Sequence, residues 1–144
     1  MIRVVEEMIL GRAEQLAPVG CHVIDEQHRR LFALAGRLTL DASANDKDEA
    51  GGEAVLADLL DYTHSHFRDE EEFMRLIQYP GLRVHQQAHA SIFAGVDQLL
   101  ARMRTVDRQI MRREIGYFIS EWLVRHVLHD DLQYTRYIRD QVMP

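Results

Sequence analysis

The chain has a single cysteine, Cys21, so no intramolecular disulfide can staple it, which fits a reducing compartment. No run approaches the roughly 18 apolar residues that a membrane span requires. The opening residues carry Glu6 and Glu7 and lack a basic segment followed by an apolar one, so no signal peptide is expected and the cytoplasm is the default. Positive charge is in deficit: 17 Lys and Arg against 23 Asp and Glu leave a net charge of −6, which argues against a nucleic-acid partner. Period-two alternation is missing, as are internal repeats and low-complexity tracts, so strands and solenoids are not expected. What remains is a 144-residue chain, enough to bury one core, with eight histidines as its one compositional pointer to chemistry.

The apolar residues recur at helical spacing throughout. Residues 2–16 place Ile2, Val5, Ile9 and Leu16 along one stripe that Gly11 weakens, and Pro18 and Gly20 then break it. Residues 1–18 are therefore expected to form an N-terminal arm, either a packing arm or a connector, ahead of a domain over 19–144. Asp25 is expected to cap a first long helix whose stripe is Leu31, Phe32, Ala35 and Leu38. Small, polar and acidic residues over 42–52 predict a loop. A second helix is expected over 53–78, stopped by Tyr79, Pro80 and Gly81, and a third over 82–104. Asp107 is expected to cap a fourth that runs from 108 to near 141. Four such helices on short loops predict an all-α, antiparallel up-down-up-down four-helix bundle.

Each predicted helix carries histidine. His66 and Glu70 are four residues apart, about 400° of rotation, so they leave one helix face a turn apart. His85 and His89 repeat that spacing on the third helix, His28 stands on the first, and His126 precedes Asp130 and Asp131 on the fourth. Imidazole nitrogens and carboxylate oxygens are what a divalent first-row metal accepts, and facing stripes of a bundle converge on one interior. Buried unpaired, so many polar groups would cost several kcal/mol each, whereas a shared metal satisfies them together.

These residues resemble the hemerythrin family, in particular its bacterial single-domain members. The match runs as I-D-E-Q-H over 24–28, H-F-x-x-E-E-x-x-M over 66–74, Tyr79-Pro80, H-x-x-x-H over 85–89, and W-L-x-x-H-x-x-x-x-D-x-x-Y over 122–134. It covers about residues 19–137. The resemblance implies a non-haem di-iron centre, two Fe ions bridged by carboxylates and an oxo or hydroxo group. By position, His85, His89 and His126 would hold one iron, His28 and His66 the other, and Glu70 and Asp131 would bridge them. The two-histidine iron would then be five-coordinate, with one position open for O2 or another small diatomic. A regular helix sets Asp130, not Asp131, on the face of His126, since five residues rotate a side chain about 140° off it. Asp131 requires a reach across or a local π-turn, and Asp130 is the alternative.

By the same resemblance Leu31, Phe67, Trp122, Leu123 and Val127 line the ligand pocket, although the bundle core alone would also account for them. Many bacterial members carry a tryptophan in the arm near the places of Arg12 and Ala13, and this chain's only one is Trp122, so the arm is expected to seal differently. Cys21 is expected to be a small packing residue, a redox thiol being the alternative, and His22, His64 and His129 to lie at the surface or behind the ligands. The implied function is reversible O2 binding for storage, transport or delivery, without catalysis. An O2 or redox sensor that acts on an unknown protein partner is the second reading, and a nitric oxide or peroxide reductase ranks last. Oxygen-activating ferritin-like sites are expected to carry more carboxylate and fewer histidines than this chain does.

Overall fold

The computed structural model describes residues 21–44, 49–102 and 104–142, all but the connections of which is helix. We number the elements α1 (His22–Ala44), α2 (Glu49–Leu76), α3 (Leu82–Arg102), α4 (Arg108–Arg125), a π-helical segment (His126–Asp131) and α5 (Leu132–Val142). The last three run on without a break as one rod, so the chain is a four-helix bundle, with no strand among the described residues. Short connections fold successive rods back on one another, and α1 packs most extensively against α4 and α2. The expected arm over 1–18, including the places of Arg12 and Ala13, lies outside the described residues.

Several boundaries differ from expectation. The first helix begins at His22, three residues before Asp25, because the Asp25 N–H already donates to the Cys21 carbonyl at 2.9 Å. Asp25 is thus an acidic residue of the first turn rather than its cap, a position the helix dipole also favours. Helix α1 runs on to Ala44 and α2 begins at Glu49, which shortens the expected 42–52 loop from both sides. Gly51 and Gly52 are poor helix formers, but each added residue of an established helix gains a hydrogen bond, and α2 propagates back through them. Helix α3 ends at Arg102 rather than near 104.

The stop after α2 is also built differently. Gln78 takes the left-handed conformation at φ 56°, Tyr79 N–H donates to Met74 O at 2.9 Å, and Gln78 N–H donates to Arg75 O at 3.1 Å. This pair of bonds is a Schellman cap with glutamine where glycine is usual. Gly81 serves the turn by its lack of a side chain, since a Cβ there would come within 2.7 Å of the Tyr79 ring. The fourth rod starts as expected, with the Asp107 carboxylate accepting from Gln109 N at 2.9 Å and Ile110 N at 3.4 Å.

Two apolar clusters fill the interior. The larger contains Leu31, Phe32, Leu59, Phe67, Ile92, Ile115, Leu123 and Val127, and the smaller gathers Ile24, Met74 and Tyr134. Cys21, half-buried, packs on the smaller one. Between the two clusters lie buried polar residues, among them His28 on α1, Glu70 on α2 and Asp131 in the π segment. That polar layer is the candidate site.

Candidate metal centre

Seven polar side chains meet in this layer, from all four rods: His28, His66, Glu70, His85, His89, His126 and Asp131, none more than 4 % exposed. Helical spacing accounts for the pairs on α2 and α3. The fourth rod solves the five-residue spacing of His126 and Asp131 by widening over those residues into a π-helix, whose turn is closed by i→i+5 bonds. Both side chains therefore face the interior. Asp130, the alternative carboxylate, is turned outward and half exposed, and its Oδ2 lies 2.8 Å from His126 Nδ1.

The carboxylates divide the histidines into two sets. Glu70 Oε1 lies 2.7 Å from His85 Nε2, 3.0 Å from His89 Nε2 and 3.6 Å from His126 Nε2. Asp131 Oδ1 lies 3.1 Å from His85 Nε2 and 3.2 Å from His126 Nε2. The opposite oxygens face the other set: Glu70 Oε2 is 3.3 Å from His28 Nε2 and 3.5 Å from His66 Nε2, and Asp131 Oδ2 is 3.1 Å from His28 Nε2. Two groups can thus each hold a metal ion, one of Glu70, His85, His89 and His126 and one of His28, His66 and Glu70.

The donor set fits a metal better than it fits itself. His28 Nε2, His66 Nε2 and both oxygens of Asp131 are buried without an aligned hydrogen bond, although they lie close together. Their lone pairs point at shared space rather than along donor–acceptor lines, which is what a cation in that space would require. Separations near 3 Å also match the edges of an octahedron with metal–ligand bonds of about 2.1 Å, which are about 3.0 Å long. The outer ring nitrogens are tied down: His89 Nδ1 meets Glu71 Oε1, His126 Nδ1 meets Asp130 Oδ2 and His66 Nδ1 meets Gln27 Oε1, each at 2.8 Å. An Nδ1–H donated to each oxygen leaves the Nε2 of these three rings as a lone pair facing inward.

Without a metal the layer holds protons instead. Burial pulls His28 and His126 down, but Asp131 and Glu70 outweigh it at His28, pushing it up to about 9, and Asp130 and Glu70 push His126 up to about 10. Burial wins at His66, where the charge of His28 adds to it, and its value falls to about 4. Glu70 would be raised by burial, yet His66, His126, His28 and His85 hold it well below the usual carboxylate range. Burial and then the charges of Glu70 and Asp131 push the Tyr134 phenol far up, so it remains a donor to Glu70 Oε2 at 3.2 Å.

Of the five residues expected to line a pocket, Leu31, Phe67, Leu123 and Val127 are buried in the larger apolar cluster, and Trp122 packs half-buried against it. Phe67 stacks on His89 with ring centroids 3.8 Å apart, and Trp122 stacks on His126 at 4.4 Å, so these two lie against the three-histidine set. His22, His64 and His129 are exposed, His64 stacked on Phe93 at 3.7 Å. Sequence reasoning passed over Gln27 and Glu71 and gave Tyr134 no role. Each stands beside or a turn from a singled-out residue, but nothing in its spacing says what it touches across the bundle.

Comparison with known proteins agrees with this geometry. Residues 19–138 match the family model described as Hemerythrin HHE cation binding domain. The chain is 32% identical over 121 residues to a bacteriohemerythrin of Stenotrophomonas maltophilia, covering 84% of this chain and 76% of that one. A bacteriohemerythrin of Pseudomonas aeruginosa is 32% identical over 120 residues, 83% and 76% of the two chains. One from Campylobacter jejuni is 26% identical over 131 residues, 89% of this chain and 95% of its own. No solved structure matches significantly.

Proposed function

The chain belongs to the hemerythrin family, and from that premise we propose that it is a non-haem di-iron protein that binds O2 reversibly, to store, carry or deliver it. The observation that carries this reading is the two-sided placement of Glu70 and Asp131, each with one oxygen toward His85 and His126 and the other toward His28. His85, His89 and His126 would hold one iron, His28 and His66 the other, and the two carboxylates would bridge them, as the ligand-to-ligand distances favour. The iron pair supplies the electrons on which O2 binding draws.

The remaining work falls to this chain's side chains. The two-histidine side has one imidazole fewer, which leaves room there for a diatomic. Leu31, Phe67, Leu123 and Val127 keep bulk water from the layer, and a water-poor site suits reversible binding because water and anions compete for the same position. The Tyr134 hydroxyl keeps its proton and fixes Glu70, and Asp130 fixes the His126 ring. Among the described residues no helix is long and apolar enough to cross a membrane.

Metal analysis with visible spectra of the reduced protein, before and after air, tests the reading. About two irons per chain and a charge-transfer band that fades when O2 is removed are expected. A chain that takes up no iron, or one that oxidises irreversibly and turns over, overturns it. A change of size or of partner binding between the oxygenated and deoxygenated forms would turn it toward the sensor.

A further inference from the structure

The two halves of the centre differ in what stands behind them. On the three-histidine side, His89 and His126 each rest their Nδ1 on a carboxylate, Glu71 and Asp130, at 2.8 Å. On the two-histidine side, His66 rests its Nδ1 on the Gln27 amide oxygen at 2.8 Å. That amide is held in its orientation by Asp69, whose Oδ2 accepts from Gln27 Nε2 at 2.8 Å. Glu70 is also used unequally: Oε2, on the two-histidine side, accepts from the Tyr134 hydroxyl at 3.2 Å.

These partners act on the electron density offered to a metal. A carboxylate that accepts an imidazole N–H makes the ring more basic at its other nitrogen, and a neutral amide does so far less. A phenol that donates to a carboxylate oxygen draws charge from it. All four contacts thus act in the same direction.

We infer that Glu71 and Asp130, set against Gln27 and Tyr134, are positioning residues that widen the difference between the two metal seats. The three-histidine seat fills first and holds its ion, and the two-histidine seat fills second and empties first. This rests on the two-metal reading above and goes beyond it: three imidazoles against two already favour the first seat, and these groups, which touch no metal, widen the difference.

The test is a titration of the metal-free full chain with Co(II) under anaerobic conditions, followed by its visible bands against a competing chelator. Two resolved steps are expected. Glu71→Gln keeps an acceptor in place but removes its charge, and should weaken the tighter step by about 10- to 100-fold while sparing the looser one. Gln27→Glu together with Asp69→Asn exchanges acid and amide, keeps a donor facing the new carboxylate, and should tighten the looser step by about 10-fold. Tyr134→Phe should also tighten the looser step. Uptake of two ions with steps that move together, or not at all, in these variants overturns the inference and leaves the two-metal reading standing. Uptake of fewer than two ions by the unaltered chain sinks both.

Discussion

The Nε2 atoms of His89 and His126 face each other at 2.9 Å, on rings whose Nδ1 atoms both rest on carboxylates. Two lone pairs at that distance repel unless a cation lies between them, either a proton or a metal. A proton carried by one ring or a metal ion relieves that repulsion, so proton and metal compete for the same place.

The competition gives the metal-free protein a defined pH profile. His28 and His126, ordinarily near 6.5, are pushed up to about 9 and about 10. Raised values mean that their stabilisation is complete below 6.5 and is lost as pH climbs through about 9 to about 10. His66, lowered to about 4, acts in the opposite sense: its contribution is present above 6.5 and is lost as pH falls through about 4. Thermal unfolding of the chelator-treated chain should thus show greatest stability near pH ~6.5, with a decline on both sides. Added metal should release protons at neutral pH and shift the optimum upward. A metal-free chain that grows more stable from neutrality to pH ~10 would contradict the assignment of protons to His28 and His126.

Removing one ligand separates the metal's contribution from the fold's. His126→Ala strips a donor from the three-histidine set and leaves Asp130 without its partner. The variant is expected to lose at least one metal. A ligand at 100 times its dissociation constant stabilises by about 2.7 kcal/mol, so the unaltered chain should lose several degrees of midpoint when a chelator is added. The variant's midpoint should respond much less. Full metal content in the variant would remove His126 from the ligand set.

How far all this could be read in advance depends on whether a feature is local. His66 with Glu70 and His85 with His89 are visible in the sequence because a single helix fixes their relation, and all four lie in the buried layer. Asp131 is harder, since a regular helix turns it away from His126. Only the π-helical segment brings both inward, and no residue type announces such a segment. Gln27 and Glu71 act across helix pairs, through contacts to His66 and His89 that depend on how the rods are aligned along their length. Helix starts differ from expectation at Asp25 and Glu53 for the converse reason: a capping side chain and a loop-like composition over 42–52 are weak local signals, and cooperative propagation carries both helices past them.

Gln78 marks a place where the chain is not at its stability optimum. It holds φ 56° at the end of α2, a conformation that costs a residue with a Cβ roughly 1 kcal/mol and glycine almost nothing. Gln78→Gly keeps both closing hydrogen bonds, which are made by backbone groups. After the extra freedom that glycine brings to the unfolded chain, a gain of roughly 0.5 kcal/mol is expected, read as a higher urea midpoint at unchanged slope. A loss of stability would mean that the glutamine side chain contributes more than its backbone strain costs.

The far end of the bundle from this turn depends on a charge pair between α2 and α4. Arg112 is 4 % exposed, and its Nη1 donates to Glu53 Oε1 at 3.1 Å, an oxygen that also accepts from the more exposed Arg108 at 2.5 Å. Arg108 first, then Arg112, hold the Glu53 carboxyl below its usual range against the effect of burial. The two partners are not equivalent. Glu53→Ala leaves a buried guanidinium facing a vacated acceptor, with only partial relief from water because the Glu53 side chain is 38 % exposed. A loss of about 2 kcal/mol is expected, below the figure for a wholly buried pair. Arg112→Met replaces the buried charge with apolar volume and leaves Glu53 paired to Arg108 in partial contact with water, so it should cost less than about 1 kcal/mol. Denaturant unfolding of the two variants decides it: if the arginine substitution proves the more damaging, the pair is held by packing of the Arg112 stem and not by the charge it carries.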